Sequence, residues 1–361
     1  MPLVFIIMLC AYFAGNAYIF IRGMQALALL PLGCKISLAV LFWICVILLF
    51  VGFAIQNIKL PYVIEHIIHE IGTSWLIVTL YMVLFLLCCD ILKLFFPAFR
   101  FGFFISAILT LIILSIGYIH YRNPNTRVFN IHIDKFAADS QKPLKIVAVS
   151  DIHLGYGTGR LTLKKYVRMI NAQNPDLILI GGDLVDGTVV PLYSENMKEE
   201  LNRLNAPLGI YMVPGNHEYY SGIQKCVDYI KQTKIQLLID SVVTLSNGIQ
   251  IIGRDDKSNP RRKSLKHLRA LTDPSKPTIL IDHQPYKLVE TEKEGIDLQF
   301  SGHTHEGQVW PLSLATDKIF DQSYGYRKWG SSQVYVSSGF SLWGPPFRIG
   351  TDSEMIVFMI K

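Results

Sequence analysis

The chain changes character near Tyr121. Before it, apolar positions run almost unbroken; after it, short apolar runs alternate with amphipathic and polar segments. A helix needs about 20 apolar residues to cross a bilayer. Four stretches reach that length, at residues 3–21, 36–55, 75–96 and 101–119. The first opens Met1-Pro2 with no basic residue and no small-x-small cleavage site, so it reads as a retained anchor rather than a signal peptide. Between the second and third, Ile64, Ile67, Ile68 and Ile71 repeat at helical spacing while Glu65, His66, His69 and Glu70 fall off that stripe. This pattern predicts a short helix at 60–71 lying in the membrane interface, with the two histidines on its polar face rather than on a metal. Asp90 lies near the end of the third span, three residues before Lys93, and that spacing predicts a local pair rather than an ion pathway. Asn16 reads as a helix-packing contact. So little polarity inside the spans argues against a transporter.

Residues 121–143 read as a polar connector, with Arg122-Asn123-Pro124-Asn125 breaking the helix and a possible strand at 127–133. From Leu144 onward the runs at 145–149, 177–180, 210–213, 250–252, 278–281, 298–300, 334–336 and 355–360 predict strands, and 161–174 predicts a helix. The expected layout is an α-helical membrane domain of four spans at 1–120, the connector at 121–143 and a layered α/β domain at 144–361.

Composition agrees with this division. Hydrophobic residues make up 51% of the 361 and charged residues 17%, against about 25% charged in soluble domains. A wholly soluble or disordered chain is excluded. The formal net charge of +6 comes with no dense basic stripe, Arg261-Arg262-Lys263 being a short solvated run, so no nucleic-acid partner is expected. Cys226 is the only cysteine beyond the apolar half, which excludes a disulfide framework in the globular part.

The chemistry gathers where the predicted strands end. Ser150-Asp151-Ile152-His153, Gly181-Gly182-Asp183 with Asp186, Gly215-Asn216-His217-Glu218, Asp282-His283 and Gly302-His303-Thr304-His305 each follow an apolar run. In layered α/β folds sites are built at such edges. Carboxylate, imidazole and amide donors without thiolate suit Mn²⁺, Fe or Zn²⁺. Seven donors exceed one tetrahedral centre and suit two ions about 3.5–4 Å apart sharing a carboxylate.

These five motifs, in this order, resemble the calcineurin-like metallophosphoesterase superfamily over about three-fifths of the chain, from Leu144 to the C-terminus. The resemblance implies a four-layer α/β sandwich, two β-sheets flanked by helices, holding two divalent metal ions. It assigns Asp151, His153 and His305 to the first ion, Asp183 to both, and Asn216, His283 and His303 to the second. His217 would face the substrate phosphate and Asp186 would orient it; Glu218 would brace the ligands from behind. Such a site hydrolyses phosphodiester or pyrophosphate bonds by way of a water that both metals acidify.

Gly215–Tyr220, Gly302–Pro311 and Trp343–Gly350 are similar to the membrane-associated branch, some of whose members act on UDP-2,3-diacylglucosamine in lipid A synthesis. Glu306 stands where many relatives have glycine. Gly187 follows Gly-Asp-x-x-Asp where protein phosphatases carry arginine, which argues against a phosphoprotein substrate. Anchoring beside the bilayer favours a lipid-linked substrate. The alternatives are an anchored hydrolase of soluble phosphoesters and a non-catalytic scaffold that retains the metals. Arg160 and Arg348 are candidate phosphate contacts, though a plain surface role is the more ordinary reading of each. The chain is expected to be a multi-pass protein of a bacterial-type plasma membrane. Arg22, Lys35, Lys93 and Arg100 against Lys59, Arg122 and Arg127 lean toward an external catalytic domain by one charge.

Overall fold

A computed structural model describes residues 2–54, 61–136 and 143–361. Lys59, Leu60 and residues 137–142 of the expected connector lie outside the described residues. The chain divides into two compact units, Met1–Ile119 with Gly344–Phe347, and His120–Trp343 with Arg348–Lys361.

The first unit contains α1 (Pro2–Ala26), α2 (Leu32–Ala54), α3 (Tyr62–Phe95) and α4 (Gly102–Tyr121). All four are long and apolar enough to cross a membrane. One expectation changes. The interfacial helix and the third span are a single helix of 34 residues, about 51 Å long at 1.5 Å per residue. No proline interrupts 62–95, so the backbone ladder runs through Gly72-Thr73-Ser74, and Thr73 Oγ1 donates back to the His69 carbonyl at 2.7 Å.

Polar groups in this unit meet one another. Asn16 is fully buried. Its Nδ2 donates to the Tyr12 carbonyl at 2.9 Å, and its Oδ1 accepts from Trp75 Nε1 at 2.9 Å and Thr79 Oγ1 at 3.3 Å. Asp90 takes its partners from α1 rather than from its own helix: Tyr18 donates to Oδ2 at 2.6 Å and Arg22 to Oδ1. Tyr18 and Arg22 are four residues apart and share one face of α1. They reach both carboxylate oxygens, where Lys93 on the same helix offers a single point charge.

The second unit is a sandwich of two six-stranded sheets. Its strands are β1 (Asn125–Ile131), β2 (Leu144–Val149), β3 (Leu177–Ile180), β4 (Ile210–Met212), β5 (Gln236–Leu237), β6 (Ser241–Thr244), β7 (Gln250–Gly253), β8 (Thr278–Ile281), β9 (Leu298–Ser301), β10 (Gly325–Trp329), β11 (Ser332–Val336) and β12 (Glu354–Ile360). One sheet runs β1-β12-β2-β3-β4-β5 and the other β10-β11-β9-β8-β7-β6. β2, β3 and β4 are mutually parallel, as are β7, β8 and β9.

Side-chain alternation builds the layers. On β2, Ile146 and Ala148 face the other sheet, where they join Ile279, Ile281, Phe300 and Tyr335. Val147 and Val149 face outward onto α5 (Arg160–Ala172), whose Leu163, Tyr166, Val167 and Ile170 form a buried stripe at helical spacing. Ile252 and Leu280 do the same for the second sheet, against Leu265 and Leu268 of the short helix Leu265–Arg269. The result is four layers, helix–sheet–sheet–helix.

The segment expected as a connector holds β1, which pairs with β12 in parallel from Asn125↔Glu354 to Ile131↔Ile360. Ile131 is 1% exposed and Ile133 is 3% exposed, both in the core between the sheets. The apolar residues at 129, 131 and 133 thus pack into the sandwich, and only residues 122–124 separate α4 from β1. Ile131→Ala should therefore lower unfolding stability by about 2–5 kcal/mol, measured by denaturant titration of the full chain; a shift below about 0.5 kcal/mol would be that of a solvated tether.

Candidate metal centre

Five strand ends deliver the candidate residues to one edge of the sandwich. β2 leads to Asp151 and His153, β3 to Asp183, β4 to Asn216, β8 to His283, and β9 to His303 and His305. The backbone there is unusual. Asp151, His153, Asp183, His303 and His305 all have positive φ, between 49° and 73°. Each costs roughly 1–3 kcal/mol and persists only where surrounding contacts hold it. The holding contacts cross between loops. Asp151 N–H donates to the Gly182 carbonyl and His153 N–H to the Asp183 carbonyl, both at 3.0 Å, while Phe340 N–H donates to the Ser150 carbonyl at 2.8 Å. Two glycines permit the approach: a Cβ on Gly215 would lie 2.1 Å from Asp183 Oδ1, and one on Gly302 would lie 2.2 Å from Asp151 Oδ2.

The side chains converge. Three groups have donor atoms within 4.8 Å of one another: Asp151, His153 and His305; His153, Asp183 and His217; and Asp183, His283 and His303. Asp183 Oδ2 lies 3.1 Å from His283 Nε2 and 3.8 Å from His153 Nε2. His153 and His305 bring their Nε2 atoms to 3.1 Å, and His305 Nε2 is 3.4 Å from Asp151 Oδ1. Asn216 Oδ1 is 3.1 Å from His283 Nε2. All seven predicted metal ligands meet in this one cluster, linked through Asp183. His217 stands beside it, and its Nδ1 donates to Asp186 Oδ1 at 2.8 Å.

This donor set fits divalent cations. His283 Nδ1 donates to the Gly181 carbonyl at 2.8 Å, so Nε2 turns its lone pair to the centre. Burial lowers the pKa of His153, pushes His303 down to about 4 and holds His305 well below the ordinary value, so all three present neutral nitrogen. Burial opposes charge on His283 too, yet the Asp183 carboxylate wins and raises it. The field that favours that proton favours a metal ion in the same place. At His217 burial again opposes the charge, but the hydrogen bond to Asp186 and the charges of Asp183, Asp186 and Glu218 push it up to about 9.

Residues behind the cluster settle several sequence questions. Glu218 is fully buried. Its carboxylate accepts backbone N–H groups from Asp183 at 3.0 Å, Val185 at 2.9 Å and Gly215 at 2.7 Å, tying the β3 and β4 loops together. Burial, then the Asp183 charge, pushes its pKa up to about 7. Arg348 is neither a phosphate contact nor a surface residue. It is fully buried and donates to the carbonyls of His305 at 2.8 Å, Ser341 at 2.8 Å and Ser338. Arg160 is held by Glu199 at 2.8 Å and Glu200 at 3.2 Å, so its charge is spent on carboxylates rather than on phosphate. Glu306 has φ 51° and ψ 31°, the left-handed region that suits glycine.

Sequence reasoning missed the buried ion network at Asp282, which accepts from Arg254 at 3.0 Å and Arg262 at 3.3 Å and precedes His283. Its signal was Arg254 directly after the β7 run and Arg262 within the basic tripeptide read as a solvated loop.

Residues 144–307 match the calcineurin-like phosphoesterase family. An uncharacterized metallophosphoesterase of Helicobacter pylori is 36% identical over 242 residues, covering 64% of this chain and 62% of that protein. One of Campylobacter jejuni is 32% identical over 265 residues, covering 70% of this chain and 69% of that protein. The bovine transmembrane protein with metallophosphoesterase domain is 34% identical over 241 residues, covering 62% of this chain and 54% of that protein. The chain therefore spans between half and about two-thirds of the length of these relatives. With the sandwich fold, the strand-end motifs and these matches together, the chain belongs to the calcineurin-like metallophosphoesterase family.

Proposed function

We propose that this protein is a membrane-anchored phosphoester hydrolase that uses two divalent metal ions to cleave phosphodiester or pyrophosphate bonds. The observation that carries this reading is the convergence of two donor groups, Asp151–His153–His305 and Asp183–His283–His303, with Asp183 Oδ2 of the second group 3.1 Å from His283 Nε2 and 3.8 Å from His153 Nε2 of the first. Asn216 completes the second group. When bound, the ions supply Lewis-acid charge that acidifies water and neutralises phosphate oxygens.

The chain's own residues do the rest. His217, hydrogen-bonded through Nδ1 to Asp186, presents Nε2 as the atom that holds and gives up a proton. Water adds to phosphorus and releases one proton to solvent, the ester P–O bond breaks with its electron pair on the departing oxygen, His217 Nε2 supplies that oxygen with a proton, and the imidazole regains one from solvent. Asp186 keeps the imidazole oriented and stabilises its charge. Glu218 and Arg348 hold the loops that carry Asp183 and His305.

The favoured substrate is lipid-linked, with a nucleotide-lipid such as UDP-2,3-diacylglucosamine as one example of the class. Four helices able to cross a membrane lie in the same chain, and anchoring raises the effective concentration of a membrane-held substrate over a soluble one.

The reading is tested with the full chain in detergent on bis-p-nitrophenyl phosphate and p-nitrophenyl phosphate, with Mn²⁺ added or removed by chelator. Activity should require the metal and favour the diester. His217→Ala should lose about 10²-fold or more in kcat while metal content, read by elemental analysis, stays at the unmodified level. Asp183→Asn should lose metal and rate together; full metal and full rate in that variant would exclude the shared-carboxylate assignment.

A further inference from the structure

The imidazole of His217 contacts two aromatic rings. Tyr220 meets it at a centroid distance of 5.5 Å and Trp343 at 6.0 Å, each edge-on at 64°. The rings come from separate parts of the chain. Tyr220 ends the short helix Asn216–Tyr220 that begins with Asn216 itself. Trp343 lies just beyond Phe340 and Ser341, whose backbone N–H groups donate to the carbonyls of Ser150 and Asp151 at 2.8 and 3.1 Å. Both segments are thus fixed to the same strand ends that form the metal cluster. Yet both rings are exposed: Tyr220 is 72% exposed and Trp343 is 51% exposed, while the His217 side chain they contact is 13% exposed.

The opposite side of the cluster is built differently. His303 contacts Phe320 at 5.8 Å, Phe320 contacts Tyr286 at 5.1 Å, and Lys257 Nζ covers the Tyr286 ring at 3.9 Å. Phe320 and Tyr286 are half-buried. That wall is packed and ends in a cation, whereas the His217 side presents uncovered apolar area from two rings beside a single imidazole. One exposed aromatic side chain is ordinary. Two that contact the same imidazole mark a surface on which something apolar is received.

We propose that Tyr220 and Trp343 are specificity-determining residues that grip an apolar part of the organic group attached to the phosphate. The proposal rests on the phosphoesterase reading: His217 protonates the departing oxygen there, so the group on that oxygen lies on the His217 side. Two sources share this chemistry. A flat aromatic group stacks on the rings, and an aliphatic chain buries its methylenes against them. Either discriminates against a small polar ester.

The test is equilibrium binding, which does not depend on turnover. Dimethyl, dibutyl and diphenyl phosphate are titrated calorimetrically into the full chain in detergent with Mn²⁺, beside Tyr220→Ala, Trp343→Ala, the double variant, and Tyr220→Phe with Trp343→Phe. Partition of each phosphate into detergent is common to all variants and cancels in the comparison. The unmodified chain should bind diphenyl or dibutyl phosphate roughly tenfold or more tighter than dimethyl phosphate. Each alanine variant should cut that ratio several-fold, the double variant should abolish it, and the phenylalanine variants should keep most of it. A preference for diphenyl phosphate alone assigns an aromatic group; an equal preference for dibutyl phosphate assigns an aliphatic one. Equal binding of all three by the unmodified chain, or a ratio that survives in the double variant, overturns the proposal. Turnover of bis-p-nitrophenyl phosphate measured on the same sample separates this result from the parent reading. Turnover without the preference removes the rim and leaves the hydrolase. Loss of turnover with the preference intact removes the hydrolase and leaves an apolar phosphoester binding site.

Discussion

Asp183 is the constraint around which the catalytic unit is arranged. Its carboxylate is almost wholly buried at the junction of the donor groups, and an ionised carboxylate out of water costs several kcal/mol unless its oxygens are met. They are met here. Oδ1 accepts the His217 backbone N–H at 2.8 Å, and Oδ2 faces His283 at 3.1 Å. Burial works against its charge, and His283 with its neighbours outweighs that and holds the group ionised. An ionised, buried and doubly approached carboxylate is an electrostatic demand for cations. Asp151, just past the neighbouring strand, has its pKa raised by burial, which His283 only partly offsets.

The scaffold makes such a centre affordable. Two sheets pack apolar faces together, with Ile146, Ile281, Phe300 and Phe358 fully buried between them. The parallel strands of both sheets then end at one edge. Loops leaving that edge must turn within a residue or two to aim side chains inward, and the positive φ of Asp151, His153, Asp183, His303 and His305 is the local consequence. Glu218 and Arg348 counter the strain from opposite sides. One is a buried acceptor for three N–H groups; the other is a buried donor to three carbonyls. Both fix the backbone of the loops that carry candidate ligands, and Arg348 Nη2 also comes within 3.4 Å of His305 Nδ1.

The helical unit follows the same rule in an apolar setting. Backbone polarity is satisfied within each helix, and the few polar side chains find one another across helices, as Asn16 does with Trp75 and Thr79, and Asp90 with Tyr18 and Arg22. These contacts fix the mutual register of α1 and α3 more specifically than apolar packing can.

The sequence by itself determined what depends on local pattern and on residue chemistry. Uninterrupted apolar length marks the four spans, strand-length apolar runs mark the sheets, and Asp, His and Asn directly after those runs mark the donors, because a strand end and a donor type are both visible in a few consecutive residues. Tertiary structure alone decided what depends on distant partners. β1 joined the sandwich because β12, more than 220 residues on, offered it an edge. Asp90 chose Arg22 over Lys93 because α1 lies against α3. Arg348 went inside because the loops carrying Ser338, Ser341 and His305 left carbonyls that only a multivalent buried donor could satisfy. Trp343 joined Tyr220, three residues along the same short helix, beside the His217 imidazole only through folding, since hydrogen bonds and ring contacts between remote segments have no period along the chain from which to read them.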